Sequence, residues 1–397
     1  MFGELYSWYL RNPEYRSRVQ KLVQSAFAGK PEDIISQSVA KALYGEVSPY
    51  SATRLERFAA CAFAHFLQYG MKLTERVEYE FKPMDMGNVM HEALESFAEE
   101  VRKRGMKWTE LTEQERNEIA DRCLDNIVAD YGNTVLKSSA RNEYMIERTR
   151  RILRRTVWAL QKQLEQGEFQ PEGFEVTFGG GRIDRVDIME DQNKVYVKVI
   201  DYKTGNTSFD LVYLYHGLQL QLMIYLDGAL RVEQKKYPDK EIIPAGVFYY
   251  NIKDPMIQEK IDADVKAVSA GLMKELKMNG LVQADPELVY RMDSSLGSIP
   301  VAFNKDGSFR KNSSVADRTQ FAVLGRYVRT KIEKIRSSIL EGDAEVSPYE
   351  LGKKNACTYC PYMTVCGFDR RLSGYEFRRL KNFSDEELWK AFDREAE

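Results

Sequence analysis

The run "VKVIDYKTG", residues 197–205, ends by presenting a carboxylate and an amine two positions apart. On a β-strand, residues i and i+2 share a face, so Asp201 and Lys203 project together while Tyr202 points away. Upstream, "GRIDRVDIMEDQNKVYVKVID" reads as a hairpin turning at Gln192 and Asn193, and counting back along both arms sets Asp184 opposite Asp201. Asp187 and Lys198 then pair on the other face. Two facing carboxylates repel unless a positive charge lies between them. Mg²⁺, or equally Mn²⁺, is the natural candidate: held by two carboxylates, it polarises a phosphoryl oxygen and acidifies a bound water that the lysine positions or activates. That is the inventory of phosphodiester hydrolysis. A D-x-K pair by itself is also an ordinary exposed ion pair, and on these residues alone both readings stand.

A second group of reactive side chains lies near the other end of the chain. "ACTYCPYMTVCGFD" places Cys357, Cys360 and Cys366 in a C-x₂-C-x₅-C arrangement, with Cys61 far upstream. Four such thiolates could hold zinc or an iron–sulfur cluster, and packed thiols without a ligand role are the plainer alternative. His65, one helical turn from Cys61, is a weaker candidate ligand. Cys123, in "DRCLDN", reads as a packed thiol.

These groups need a scaffold, and the chain is long enough to supply one. It has 397 residues, of which 43% are hydrophobic, with 58 basic against 60 acidic side chains. That near-balance excludes a polycation binding nucleic acid indiscriminately, so any nucleic-acid surface must be local. The first residues lack the basic start and apolar core of a secretory signal, and no apolar run is long enough to span a membrane. A cytoplasmic protein with free thiols is expected. Residues 1–50 read as short helices. One helix is expected over "SATRLERFAACAFAHFLQYG", then an extended "ERVEYEFKP", then long amphipathic helices to about residue 166. The period changes from 3.6 to 2 at "FEVTFGGGRIDRVDIMEDQNKVYVKVIDYKTG", which predicts three strands. A helix over "HGLQLQLMIYLDGAL", a strand over "AGVFYYNI" and a largely helical stretch from 255 to 350 follow, the last with a hairpin at Lys305-Asp306-Gly307. The expected class is α/β: a mixed sheet core flanked by many helices, with an N-terminal helical segment over 1–50 and one domain over 51–397.

"GRID" followed by "VIDYKTG" resembles the PD-(D/E)XK restriction-endonuclease-like nuclease core, and "QLMIY" resembles the Q-x-x-x-Y helix of its RecB-like branch. "GNVMHEALESF" resembles the histidine-bearing helix that precedes the strands in that branch. The resemblance implies that His91, Asp184 and Asp201 ligate the metal and that Lys203 is the catalytic lysine. It implies also that Gln221 and Tyr225 organise the site and the DNA backbone. From about residue 45 to the end, the stretches "YSATRLERFAACAFAHFLQYG", "GLVQADPELVYRMD" and "SPYELGKKNACTYCPYMTVCGFD" resemble the C-terminal part of the B subunits of bacterial AddAB helicase-nucleases. In such nucleases one cysteine precedes the core and three follow it, which implies a 4Fe-4S cluster on Cys61, Cys357, Cys360 and Cys366 that clasps the two ends of the domain. Ala62 departs from the proline usual after the first cysteine. The absence of a G-x-x-x-x-G-K-[ST] phosphate loop implies a chain that does not itself hydrolyse ATP. The partners implied are a single DNA strand from unwound duplex and an AddA-type helicase-nuclease subunit, in processing of double-strand break ends. A non-catalytic module docking a helicase is the alternative. Phosphate contacts are expected from Arg148, Arg151 and Arg155 on one helix, and from Arg370, Arg371, Arg378, Arg379 and Lys381 around Tyr375 and Phe377.

Overall fold

A computed structural model describes residues 2–26, 34–45, 51–74, 83–130, 139–179, 181–258 and 264–396. The expected extended stretch at 75–82 lies outside them, as does Gly180. The chain forms two compact units. One comprises Met1–Ser48, Arg54–Glu75 and Glu333–Asn382, and the other Pro49–Thr53, Arg76–Ile332 and Phe383–Glu397.

The N-terminal part supplies the short helices α1 (Phe2–Arg11), α2 (Arg16–Ala26) and α3 (Gln37–Tyr44). The single helix expected next is interrupted: α4 (Ala52–Ala60) stops at Cys61, and α5 (Ala62–His65) restarts beyond it. Cys61 has an extended backbone, φ −166° and ψ 117°. Periodicity could not signal this break, because both pieces are apolar. Ala62 is the first residue of the new helix, the position where proline is tolerated.

Three long helices follow, α6 (Pro83–Lys103), α7 (Glu113–Asp130) and α8 (Ala140–Leu164). The strands come next: β1 (Gln170–Phe178), β2 (Gly181–Asp191) and β3 (Lys194–Lys203) form an antiparallel meander, as the period-2 pattern predicts. The helix expected from His216 is two: α9 (Leu211–Tyr215) and α10 (Gln221–Lys236). Gly217, at φ +77°, turns the chain between them. Strand β4 (Glu241–Asn251) runs parallel to β3, and the ladder shifts register beside Pro244, which has no N–H to give. The stretch expected to be mainly helical contains α11 (Val265–Glu275), but also β5 (Asn279–Gln283) ahead of α12 (Pro286–Met292). The two-residue β6 (Val315–Ala316) then precedes α13 (Arg318–Glu341), completing a six-stranded sheet in the order β1-β2-β3-β4-β5-β6. A bridge between Phe303 and Phe309 closes the expected hairpin around Gly307. Three short strands, β7 (Tyr349–Leu351), β8 (Lys354–Asn355) and β9 (Arg378–Arg379), make a separate small sheet with α14 (Met363–Cys366) between the last two in sequence. The chain closes with α15 (Asp385–Ala396).

The strands β2 and β3 are buried on both faces, which their near-continuous apolar runs require. On one face Met189, Ile200, Tyr202, Phe248 and Tyr250 pack with Val89, Phe97, Leu124, Leu153 and Val157 of α6, α7 and α8. Helix α10 packs across β2, β3 and β4.

Candidate active site

Paired residues Arg185–Ile200 through Asp191–Lys194 fix the β2–β3 register, and it is the one counted from the turn. Continued by one residue, it sets Asp184 across from Asp201. Both carboxyl-bearing residues are buried, at 8% and 1% exposure. Helix α6 brings His91 against them: Nδ1 lies 3.3 Å from Asp184 Oδ2, and Nε2–H donates to the Tyr202 carbonyl at 3.0 Å. A backbone partner on one ring nitrogen leaves the other to face the carboxylates. The Tyr202 N–H donates to Asp184 Oδ2 at 2.7 Å.

Lys203 is held from two sides. Its Nζ lies 2.5 Å from Asp201 Oδ2 and donates to Gln221 Oε1 at 2.8 Å. Gln221 in turn donates from Nε2 to Tyr225 Oη at 2.9 Å, one turn further along α10. The six residues singled out by sequence form two contact groups, His91 with Asp184 and Asp201 through Lys203 and Gln221 to Tyr225, adjoining where the Tyr202 N–H beside Asp201 meets Asp184. His91, Asp184, Asp201, Lys203 and Gln221 line an open cleft of about 620 Å³.

Glu175 joins them without being expected from the sequence. Pairs Phe174–Arg185 and Val176–Ile183 set it opposite Asp184 on the strand side away from Asp201. One ligand atom each from His91, Glu175 and Asp184 lie within 4.8 Å of one another. The Glu175 backbone is left-handed, at φ +49°, and its carboxylate pairs with Arg182. The glycine turn at 179–181 carries the signal: counted back in the manner of the second turn, it sets Glu175 beside Asp184.

The charge of Asp184 acts on the carboxyls to either side of it. Burial, then the charge of Asp184, pushes Asp201 up to about 7 against the pull of Lys203. The same two causes push Glu175 up to about 7 against Arg182. Burial alone would lower His91, but its hydrogen bond to Asp184 and the carboxylate charges outweigh that and raise it. Unfolded carboxyls titrate near about 4, so between there and about 7 the folded chain retains protons that the unfolded chain has released. Stability must fall as pH rises through that window, and the raised His91 acts in the same direction. In chelator, the unfolding temperature is expected to drop from pH 5 to pH 8, with a shallower drop in Asp201→Asn. Equal slopes in thermal melts of the two proteins would refute this account. One imidazole and carboxylate oxygens in negative excess are a donor set that fits Mg²⁺ or Mn²⁺.

The four cysteines singled out line one small cavity of about 20 Å³. Burial and the proximity of Cys61, Cys360 and Cys366 push the Cys357 thiol up to about 12. Asn355 Oδ1 accepts from the N–H groups of Cys357 and Thr358 at 2.9 and 3.1 Å, shaping the turn, and Gly367 at φ +67° lets the chain leave after Cys366. Four convergent sulfurs are a donor set that matches either a zinc ion or an iron–sulfur cluster. His65 does not join them: it accepts a hydrogen bond from Arg54 at 3.1 Å, and burial followed by the Arg54 charge lowers it to about 3. Cys123 packs in the helical core.

Three of the cations expected to meet phosphates have a carboxylate partner, and their side chains remain largely exposed. Arg151 pairs with Asp254 at 2.6 Å, and Arg155 lies over the Trp158 ring. Arg371 pairs with Asp369 at 2.5 Å, Arg379 approaches Glu350 at 3.7 Å, and Arg378 donates to the Ala59 carbonyl. Tyr375 is buried. Counting arginines along a helix cannot register the carboxylates that face them from other elements.

A family model described as the PD-(D/E)XK nuclease superfamily matches residues 49–367. The chain is 41% identical over 419 residues to the B subunit of the ATP-dependent helicase/deoxyribonuclease of Lachnoclostridium phytofermentans, covering 100% of this chain and 36% of that protein. It is 34% identical over 424 residues to the protein of the same name in Alkaliphilus metalliredigens and 33% over 419 in Clostridium acetobutylicum, covering 37% and 36% of them. The chain therefore spans little more than a third of the length of these curated relatives.

Proposed function

Because this chain belongs to the PD-(D/E)XK nuclease superfamily, we propose that it is a Mg²⁺-dependent deoxyribonuclease that hydrolyses single DNA strands delivered by a helicase. On this reading it acts as an exonuclease in the processing of double-strand break ends, in the cytoplasm, beside an AddA-type helicase-nuclease subunit. The observation that carries the chemistry is that His91, Asp184, Asp201, Lys203 and Gln221 line one cleft, with Tyr225 bonded to Gln221 behind it. The relatives' names support the helicase setting.

His91, Asp184 and Asp201 are the residues that would hold a divalent cation, which supplies Lewis-acid polarisation of the phosphate and a more acidic water. Lys203 does the rest of the local work. Clamped between Asp201 and Gln221, its ammonium can donate to the attacking water or to a non-bridging phosphoryl oxygen as negative charge builds there. Gln221 restricts Lys203 to that position, and the Tyr225 hydroxyl restricts Gln221. No helix among the described residues is long and apolar enough to cross a membrane.

In this reading the nuclease domain occupies 51–397, after a helical segment over 1–50, and Cys61, Cys357, Cys360 and Cys366 hold a 4Fe-4S cluster. The two cysteine-bearing stretches are distant in sequence, so the cluster ties them together, and nothing in the sequence requires it to exchange electrons. Anaerobically purified protein is expected to be brown and to contain iron, and Cys357→Ser to be colourless with a lower unfolding temperature. A colourless wild type with stoichiometric zinc would overturn the cluster. The function itself is tested by incubating end-labelled single-stranded DNA with the chain in Mg²⁺ and in chelator. Shortened label in Mg²⁺ alone is expected, and intact label in both, with the helicase subunit also present, would leave the docking-module reading.

A further inference from the structure

The proposed active-site cleft has a charge problem for a DNA-cutting site. Glu92, Glu95, Glu175, Asp184 and Asp201 line it, against only Arg182 and Lys203 as permanent cations among its described residues. A polyanion meets net repulsion there. Lys203 is committed to Asp201 and Gln221, and Arg182 to Glu175. The two members of that second pair differ sharply in freedom. The Glu175 side chain is 9% exposed and has a carboxylate oxygen within 4.8 Å of ligand atoms of His91 and Asp184, whereas the Arg182 side chain is 65% exposed. Glu175 stays where it is, and Arg182 is able to leave.

We propose that Glu175 and Arg182 form an exchangeable pair that couples cation loading to the grip on DNA. Glu175, with His91 and Asp184, turns its carboxylate to a divalent cation, and Arg182, released, moves to a backbone phosphate of the strand in the cleft. The inference rests on the nuclease reading of this cleft. Exchange of one positive partner for another keeps the buried carboxylate compensated throughout, while loading raises the cleft's charge by two and frees a guanidinium suited to phosphate. Linkage makes the effect reciprocal: the factor by which the cation tightens DNA binding is the factor by which DNA tightens cation binding.

The test is the affinity for a labelled single-stranded oligonucleotide, measured in chelator and in Ca²⁺ at fixed ionic strength, with the label checked to be intact. Wild type is expected to bind about 5- to 20-fold more tightly in Ca²⁺, within the usual range of coupling. Arg182→Gln should keep only the smaller gain that the cation's own charge supplies. Glu175→Gln, whose Arg182 has no carboxylate to hold it, should already bind tightly in chelator and gain little from Ca²⁺. Opposite movement of the two variants in chelator is something a merely structural role would not produce. Retention of the full wild-type gain by Arg182→Gln, or weak binding by Glu175→Gln in chelator, would overturn the coupling. Absence of Mg²⁺-dependent cleavage in wild type would overturn the nuclease reading instead, and the two failures are read from separate assays.

Discussion

Asp201→Asn is expected to lower Mg²⁺-dependent cleavage of single-stranded DNA by at least roughly 100-fold, since outer partners of metal ligands already cost 10- to 100-fold when lost and a direct ligand costs more. The same change should leave the folded chain as stable as wild type or more so. Asp201 is 1% exposed and faces Asp184, so its charge is held in the fold at a cost that burial and repulsion both reveal by pushing it up to about 7. An isosteric amide removes that cost and keeps the volume. Stability gained where activity is lost is the usual mark of a site selected for chemistry. The measurement is paired: initial cleavage rate and unfolding temperature, at pH 8 and matched iron content. Full activity in the variant would remove Asp201 from the proposed machinery. Lost activity together with a large drop in unfolding temperature would show a structural residue instead.

Asp184 and Asp201 are legible together because hairpin register is arithmetic, whereas His91, Gln221 and Tyr225 are reached only through the family resemblance. Once the turn at Gln192 and Asn193 is recognised, each residue's partner follows, and Asp184 meets Asp201 without further assumption. Glu175 escapes only because the glycines at 179–181 read equally well as a bulge or bend, which gives no pairing to count from. Other features are hidden for different physical reasons. Strand β5, "NGLVQ", is five residues with no alternation, and its identity depends on pairing with β4. The break at Cys61 interrupts a helix whose two halves are equally apolar, so no periodic signal marks it. A count of arginines along a helix also misses partners from other elements, such as Asp254 for Arg151, which lies far away in sequence.

Asp187→Ala is expected to destabilise the chain by about 3–5 kcal/mol, although Asp187 lies on the sheet face opposite Asp184. It is fully buried there, where Oδ1 accepts from Arg185 Nε at 2.5 Å and Oδ2 from Arg185 Nη2 at 2.9 Å. Lys198 Nζ approaches Oδ2 at 2.9 Å from the paired position on β3. The guanidinium lies 5.5 and 5.6 Å from the Trp108 and Phe174 rings, and Lys198 lies 5.1 Å from the Phe169 ring. Burial alone would raise Asp187, but the charges of Arg185 and Lys198 lower it. Removing the carboxylate strands two cations in an apolar core, which costs far more than the missing hydrogen bonds themselves. The network also fixes the register that carries the active site: a slip of one residue between β2 and β3 would part Asp187 from Lys198 and Asp184 from Asp201 together. Thermal unfolding should therefore shift down by roughly 5 °C, and cleavage should fall in proportion to the folded fraction. Replacing all three members, Arg185→Met, Asp187→Leu and Lys198→Met, should restore much of the stability, because no buried charge is then left uncompensated. If the triple variant melts as low as Asp187→Ala, the deficit comes from packing and not from stranded charge. If it melts high but no longer cuts DNA, the buried ions serve to hold the register that sets Asp184 across from Asp201, and not to stabilise the fold.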